Sequence, residues 1–306
     1  MKGESPHVLV LTATPIPRTV AMTVFGDLDV STIAQLPAGR SPIASHVVGL
    51  SEHPGWIARV WERLAEELDA GRQGFVVCPA IDAKTLEEAD PDEPEADDEG
   101  LPPPSAVLAV VEELRRHPLL SSRRIEVLHG RLSAEEKDST MRAFSRGEID
   151  VLVATTVIEV GVDVPNASTM VVLDADRFGI AQLHQLRGRV GRGSVPGLCL
   201  FVTHADPVSL SRERVDAVAA TLDGFELAQA DLDLRREGDV LGESQSGGRS
   251  SLKLLRVSRD GKLIEEARAV AEGILTDDPD LAAHPALRDA LERRLDESER
   301  AFLGKS

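Results

Sequence analysis

Seven short, almost uninterrupted apolar runs constrain the fold of this chain more than any other feature: HVLVLTA, IASHVVGL, GFVVCPA, RIEVLH, IDVLVAT, STMVVLD and GLCLFVT. A strand that alternates apolar and polar residues keeps one face wet. A continuously apolar strand is buried on both faces, which is the situation of parallel sheets covered by helices on either side. Stretches of helical periodicity lie between the runs, at 55–70, 105–116, 133–146 and 179–187. This alternation predicts an α/β fold on a largely parallel sheet. The helix near Ser133 carries its own start signal, because Glu136 follows three residues later as a capping box requires.

Two stretches break the pattern. Residues 82–104 carry nine acids and no base between 87 and 100, followed by LPPPS. Such a segment has too little apolar surface to bury and reads as a solvated or disordered insertion. From about residue 206 the strand–helix alternation stops, and SRERVDAVAATL, FELAQADLDLRREG and LIEEARAVAEGIL read as helices. The last forty residues continue as amphipathic helix broken at Pro279 and Pro285. At the other end, HVLVLTA is apolar enough for a sheet interior, yet little precedes it to supply neighbouring strands. Residues 1–40 therefore read as the end of a domain that has been cut through.

The net charge of −18 looks unsuited to a protein that binds nucleic acid, but its distribution matters more than its total. The acid run at 87–100 and the tail from Asp260 to Ser306 account for 14 of the 18 excess negative charges. The bases cluster elsewhere, most densely in QLRGRVGRG (Gln185 to Gly193). Cys78 and Cys199 sit in apolar segments with no metal-ligand spacing, and no Cys/His cluster suggests a metal site. No apolar run approaches the roughly 20 residues needed to span a bilayer. The first residues lack the layout of a secretory signal, so a cytoplasmic, membrane-free protein is expected.

Three segments carry chemistry. In QLRGRVGR a helix leads into Arg189 and Arg192, each directly after a glycine, Gly188 and Gly191. A guanidinium is permanently charged and its fork matches phosphate oxygens, which suits it to the charge that develops in phosphoryl transfer. The competing reading is a solvated basic turn. In ATTVIEVGVDVPNA a buried strand ends in Thr155 and Thr156, and a turn brings Gly161 and Asp163 to the sheet's carboxyl edge, where open α/β sheets bind ligands. Asp163 suits a ribose hydroxyl and the threonines a DNA phosphate, against the plainer reading of an Asx turn. In TATPIPRT, Thr12 and Thr14 are small hydroxyls after a buried strand, a weak signal by itself for sensing phosphate.

In this order and spacing, the segments resemble motifs III, V and VI of superfamily 2 helicases, with LHGRLSAEEKDSTMRAFSRGEIDVLVATT similar to the stretch between motifs IV and V. GDLDVSTIAQLPAGRSP and VIEVGVDVPNA resemble RecG-type ATP-dependent DNA helicases, which act on branched DNA at stalled replication forks. The transcription-repair coupling translocase shares motif VI and the following hairpin but looks different in those two stretches. The resemblance implies a RecA-like motor lobe over 41–205, preceded by the end of a first lobe over 1–40. Residues 206–306 would then be a helical coupling region and tail.

Further roles follow from the resemblance. Arg189 and Arg192 would act on ATP, with Gly161, Asp163 and Gln185 contacting the nucleotide. Thr155, Thr156, His129 and Gly130 would contact DNA, although a surface-loop role for His129 is nearly as good a reading. His184 either touches nucleotide or packs. DGFELAQADLDLRREGDVLGESQSG resembles the family's translocation hairpin, which makes Arg214, Arg235 and Gln245 coupling residues together with Thr12 and Thr14. Arg236-Glu237 stands where the family has glycine-proline, and Glu243-Ser244 where it has threonine-arginine, so the hairpin loop is expected to differ in shape.

The chain contains no Gly-x-x-x-x-Gly-Lys-Ser/Thr loop to cradle phosphates and no acidic magnesium motif before TATPIPRT. The family's amino-terminal wedge domain is also not represented. ATP and Mg2+ are therefore expected mostly on a first lobe outside this sequence, with forked or branched DNA as partner. The chain is expected to be a monomer that does not hydrolyse ATP alone. Other classes remain open: a stand-alone DNA-binding protein with a motor fold, or a remnant of a disrupted gene. Within the enzyme class, a fragment of the coupling translocase remains the runner-up, separable by RNA polymerase binding.

Overall fold

A computed structural model describes residues 41–82, 102–155, 164–234 and 261–294. The expectations for residues 1–40, for most of the acidic insertion and for Thr156, Gly161, Asp163, Arg235 and Gln245 fall outside the described residues.

Six strands form one sheet among the described residues: β1 (Ile43–Gly49), β2 (Gln73–Val77), β3 (Ile125–Leu128), β4 (Val151–Ala154), β5 (Ala167–Val172) and β6 (Gly197–Thr203). The spatial order is β1-β6-β5-β2-β4-β3, and every pairing is parallel. The apolar runs from IASHVVGL to GLCLFVT thus all become strands. The central β2, β4 and β5 are buried along their whole length, whereas β1, at one edge, alternates in burial before closing at Val48.

Successive residues of a strand point to opposite faces, and the core divides accordingly. Phe75, Val77, Leu152, Ala154, Met170, Val172 and Phe201 belong to one buried cluster; Val76, Val151, Val153, Val171 and Val202 belong to the other. The second cluster is closed by α1 (Trp56–Asp69) and α2 (Val107–Arg116). Val60, Trp61, Leu64, Ala65 and Leu68 of α1 recur at helical spacing and give it one apolar stripe.

The first cluster is closed by α3 (Ala134–Ser145), α4 (Ile180–Arg187), α5 (Leu210–Ala220) and α6 (Gly224–Leu234), through Phe144, Leu183, Leu186, Val215, Val218 and Leu227. The fold is the RecA-like parallel α/β lobe expected, with its packed core running on to α6. The capping box on α3 is formed: Ser133 Oγ accepts from Glu136 N at 3.2 Å, and Glu136 accepts from Ser133 N at 2.8 Å.

One buried amide ties the amino edge of the sheet together. Gln73 Nε2 donates to the Phe144 and Ile149 carbonyls at 2.7 and 2.6 Å, and its Oε1 accepts from Asn166 at 3.3 Å. This fixes the segment that leads into β5. A second compact unit contains α7 (Gly261–Asp277) and α8 (Pro285–Arg294). The two prolines act as expected: α7 ends before Pro279, and Pro285 opens α8, where its missing N–H is not needed. No described helix is long and apolar enough to cross a membrane.

Candidate functional site

The arginine segment begins where α4 ends at Gly188 and runs to the start of β6, so it lies at the amino edge of the sheet. Val190 is fully buried and plugs the loop into the core between Arg189 and Arg192. Gly191 has φ +68°, and a Cβ there would lie 2.8 Å from Ile43 Cγ1. A Cβ on Gly193 would lie 2.4 Å from the Pro165 carbonyl oxygen, closer than real Cβ contacts come. Ser41 Oγ donates to the Gly193 carbonyl at 2.9 Å, and Gly197 N donates to the Pro42 carbonyl at 2.9 Å. The loop is thereby braced by the chain entering β1 and by the chain entering β5. From this base Arg192 is exposed, with its Nε donating to the Gly188 carbonyl at 2.9 Å, while Arg189 and Gln185 are half-buried. The glycines serve close packing as much as turning, which is more than a solvated basic turn requires.

The third arginine of the octet behaves differently. Arg187 is 1% exposed. Its guanidinium donates to the Val218 carbonyl, to the Thr221 carbonyl at 2.7 Å and to His184 Nδ1 at 2.8 Å. Arginine has no acceptor, so His184 Nδ1 must be unprotonated, which places any single ring proton on Nε2. His184 therefore packs against Arg187, and Arg187 ties α4 to the carboxyl end of α5. Sequence reasoning passed over Arg187, although a signal was present: Ile180, Leu183 and Arg187 fall at i, i+3 and i+7, the buried stripe of α4.

The described residues expected to contact DNA lie at the opposite, carboxyl edge. Thr155 follows β4 and His129-Gly130 follows β3, and these strands are neighbours. Thr155 N donates to the Leu128 carbonyl at 3.2 Å, and the Thr155 residue is 8% exposed. Gly130 is exposed with open space around it, and Lys137 Nζ donates to its carbonyl at 2.8 Å. His129 is half-buried, and its Nδ1 is buried with no hydrogen-bond partner among the described residues.

The two groups lie apart. A strand the length of β4 crosses roughly 13 Å at about 3.3 Å per residue, and three spacings of about 4.8 Å separate β4 from β6. The ATTVIEVGVDVPNA segment touches both edges: Thr155 lies at the carboxyl edge, while Val164 is buried and Pro165 packs on Gly193. Of the residues expected to couple the lobes, Arg214 is described; it lies half-buried on α5 and its Nη2 donates to Ser211 Oγ at 3.0 Å. Cys78 and Cys199 are buried, which pushes both thiols up beyond the range of reactive thiolates. Among the described residues no cluster of His, Cys, Asp and Glu is placed to hold a metal ion.

A model of the helicase conserved C-terminal domain matches residues 106–194, and one of domain 3, C-terminal part, of the ATP-dependent DNA helicase RecG matches residues 221–302. Proteins named ATP-dependent DNA helicase RecG from Mycobacterium leprae and Mycobacterium tuberculosis are 50% and 52% identical to this chain over 305 and 266 residues. The matches cover 99% and 87% of this chain but 40% and 35% of those relatives. A solved structure of RecG bound to a three-way DNA junction is 38% identical, with a TM-score of 0.59, covering 83% of this chain and 30% of that one. The chain thus spans about two fifths or less of the length of the relatives it matches. On the joint evidence of the six-stranded parallel lobe and these matches, the chain corresponds to the C-terminal portion of the RecG-type helicases of superfamily 2, with that family's helicase C-terminal lobe.

Proposed function

We propose that this chain is the C-terminal motor portion of an ATP-dependent helicase that acts on branched DNA in fork regression, recombination and repair. The observation that carries the proposal is the arginine loop. Arg192 is exposed on a backbone held by Val190, Gly191 and Gly193, so a guanidinium is presented from a base with little freedom to move. A preorganised cation of this kind stabilises charge on a transferring phosphoryl group without reorganising during the reaction. The protein named RecG in the junction complex binds a three-way DNA junction, which supports branched DNA as the partner here.

In this reading Arg189 and Arg192 reach toward ATP whose phosphates and Mg2+ are held by another lobe, since the sequence has no phosphate-cradling loop of its own. Gln185, Gly161 and Asp163 complete the nucleotide contacts. Thr155, His129 and Gly130 hold the DNA backbone from the opposite edge, and Thr156 joins them in this reading. Residues 1–40 end a first lobe, 41–205 form the second, and 206–306 couple it to DNA through Arg214, Arg235 and Gln245, with Thr12 and Thr14 on the first-lobe side. Arg187 positions the arginine helix against α5, which bears Arg214, so motion of one element reaches the other through a buried guanidinium. The test is to supply the first motor lobe of the Mycobacterium leprae relative, fused to this chain. ATP turnover stimulated by forked DNA and lost on Arg192→Ala is expected. Turnover undiminished by Arg192→Ala would overturn the assignment.

A further inference from the structure

The two strands that flank β4 both continue into charged ends at the carboxyl edge. The chain leaving β2 reaches Asp82, and the chain leaving β3 reaches Arg131. These side chains meet, with Arg131 Nη1 2.5 Å from Asp82 Oδ2. Because the sheet order is β2-β4-β3, the ion pair joins the segments on either side of the strand that ends at Thr155. Arg131 also directly follows Gly130, whose carbonyl is bonded by Lys137.

The pair is open to solvent, with side chains 52% and 29% exposed, and exposed ion pairs contribute little to stability. Its partners can therefore be exchanged without disturbing the core. A DNA phosphate is the natural competitor for Asp82, because it offers two oxygens to the guanidinium fork and releases condensed counterions when neutralised.

We infer that Arg131 is a phosphate-binding residue of the DNA-contact edge and that Asp82 holds it in reserve, so that the backbone of bound DNA replaces the carboxylate. The inference rests on the DNA reading proposed above. Lys137 is another cation at this edge among the described residues, but its bond to the Gly130 carbonyl shapes the loop, so the exchange is assigned to Arg131.

The experiment is fluorescence anisotropy of the 306-residue chain with a labelled forked DNA over a series of salt concentrations. Wild type, Asp82→Asn, Arg131→Gln and the double variant are compared. All the substituted side chains are at least partly exposed and outside the core, and circular dichroism checks that each variant is folded. Arg131→Gln should weaken binding and reduce the slope of log K against log salt by about 0.9, the value of one phosphate contact. Asp82→Asn should tighten binding by roughly 3-fold to 10-fold. In the Arg131→Gln background that gain should vanish, because Asp82 acts through Arg131. Two results would overturn the inference while leaving the DNA reading intact: an unchanged salt slope in Arg131→Gln, or an equal gain from Asp82→Asn with and without Arg131. Absence of wild-type binding at low salt would overturn the DNA reading and this inference with it.

Discussion

Replacing Arg187 with methionine isolates the buried guanidinium from the bulk of the side chain. Methionine keeps much of the apolar stem but removes every donor. The Val218 carbonyl lies in the last turn of α5 and Thr221 is its C-cap residue; carbonyls there have no intrahelical partner, so the guanidinium is their cap. Val218 is fully buried and its carbonyl gains no water in exchange, whereas Thr221 is half-buried and recovers part of its loss. An unsatisfied buried carbonyl costs about 1–3 kcal/mol, and each lost charge-assisted bond about 1.5–3 kcal/mol, with partial overlap between these terms. The variant should therefore lose about 3 kcal/mol. For a unit of this size that lowers the melting temperature by roughly 6–12 °C. Urea unfolding followed by circular dichroism measures the loss, with Arg192→Met as the exposed control at under about 0.5 kcal/mol. Hydrogen exchange should also quicken over residues 218–224. A loss below about 1 kcal/mol for Arg187→Met, or equal losses for the two variants, would refute the view that this guanidinium joins α4 to α5.

Two other outcomes follow from the same geometry. Gly193→Ala places a methyl group within 2.4 Å of the Pro165 carbonyl oxygen, so backbone must move; thermal melts should show a loss of about 1–3 kcal/mol, and a neutral result would mean the loop is not braced there. Glu67 is 4% exposed. Burial pushes its carboxyl up, but hydrogen bonds from Arg72 and Ser168 and the charges of Arg63 and Arg72 outweigh it and hold the carboxyl below its usual value. Its folded pKa is depressed, so its contribution is complete above the unfolded carboxylate pKa and is lost as pH falls through the folded value. Stability measured from pH 7 downward should fall less steeply in Glu67→Gln than in wild type, and parallel curves would contradict the sign.

The sheet was legible because burial on both faces leaves no room for polar residues, so runs such as GFVVCPA and GLCLFVT read as strands unaided. The helix ends were legible where chemistry marks them, at the Ser133 capping box and at Pro285. Strand order was not legible: the placement of β6 between β1 and β5 depends on which crossovers bury the two faces, and no local pattern encodes that. The separation of the arginine loop from Thr155 and His129 follows from that order, and was hidden for the same reason. Arg187 was obscured by its neighbours, because three arginines in six residues look alike until the stripe of α4 is traced through Ile180 and Leu183. The bond between His184 and Arg187 could be seen only in the folded chain.

The measurement that bears most directly on the central claim is ATP hydrolysis by this 306-residue chain, with and without forked DNA. The account predicts no turnover in either case, because Arg189 and Arg192 act on a nucleotide whose phosphates are held elsewhere. DNA-stimulated turnover that disappears on Arg192→Ala would contradict it, by showing that this chain builds a complete phosphate site of its own.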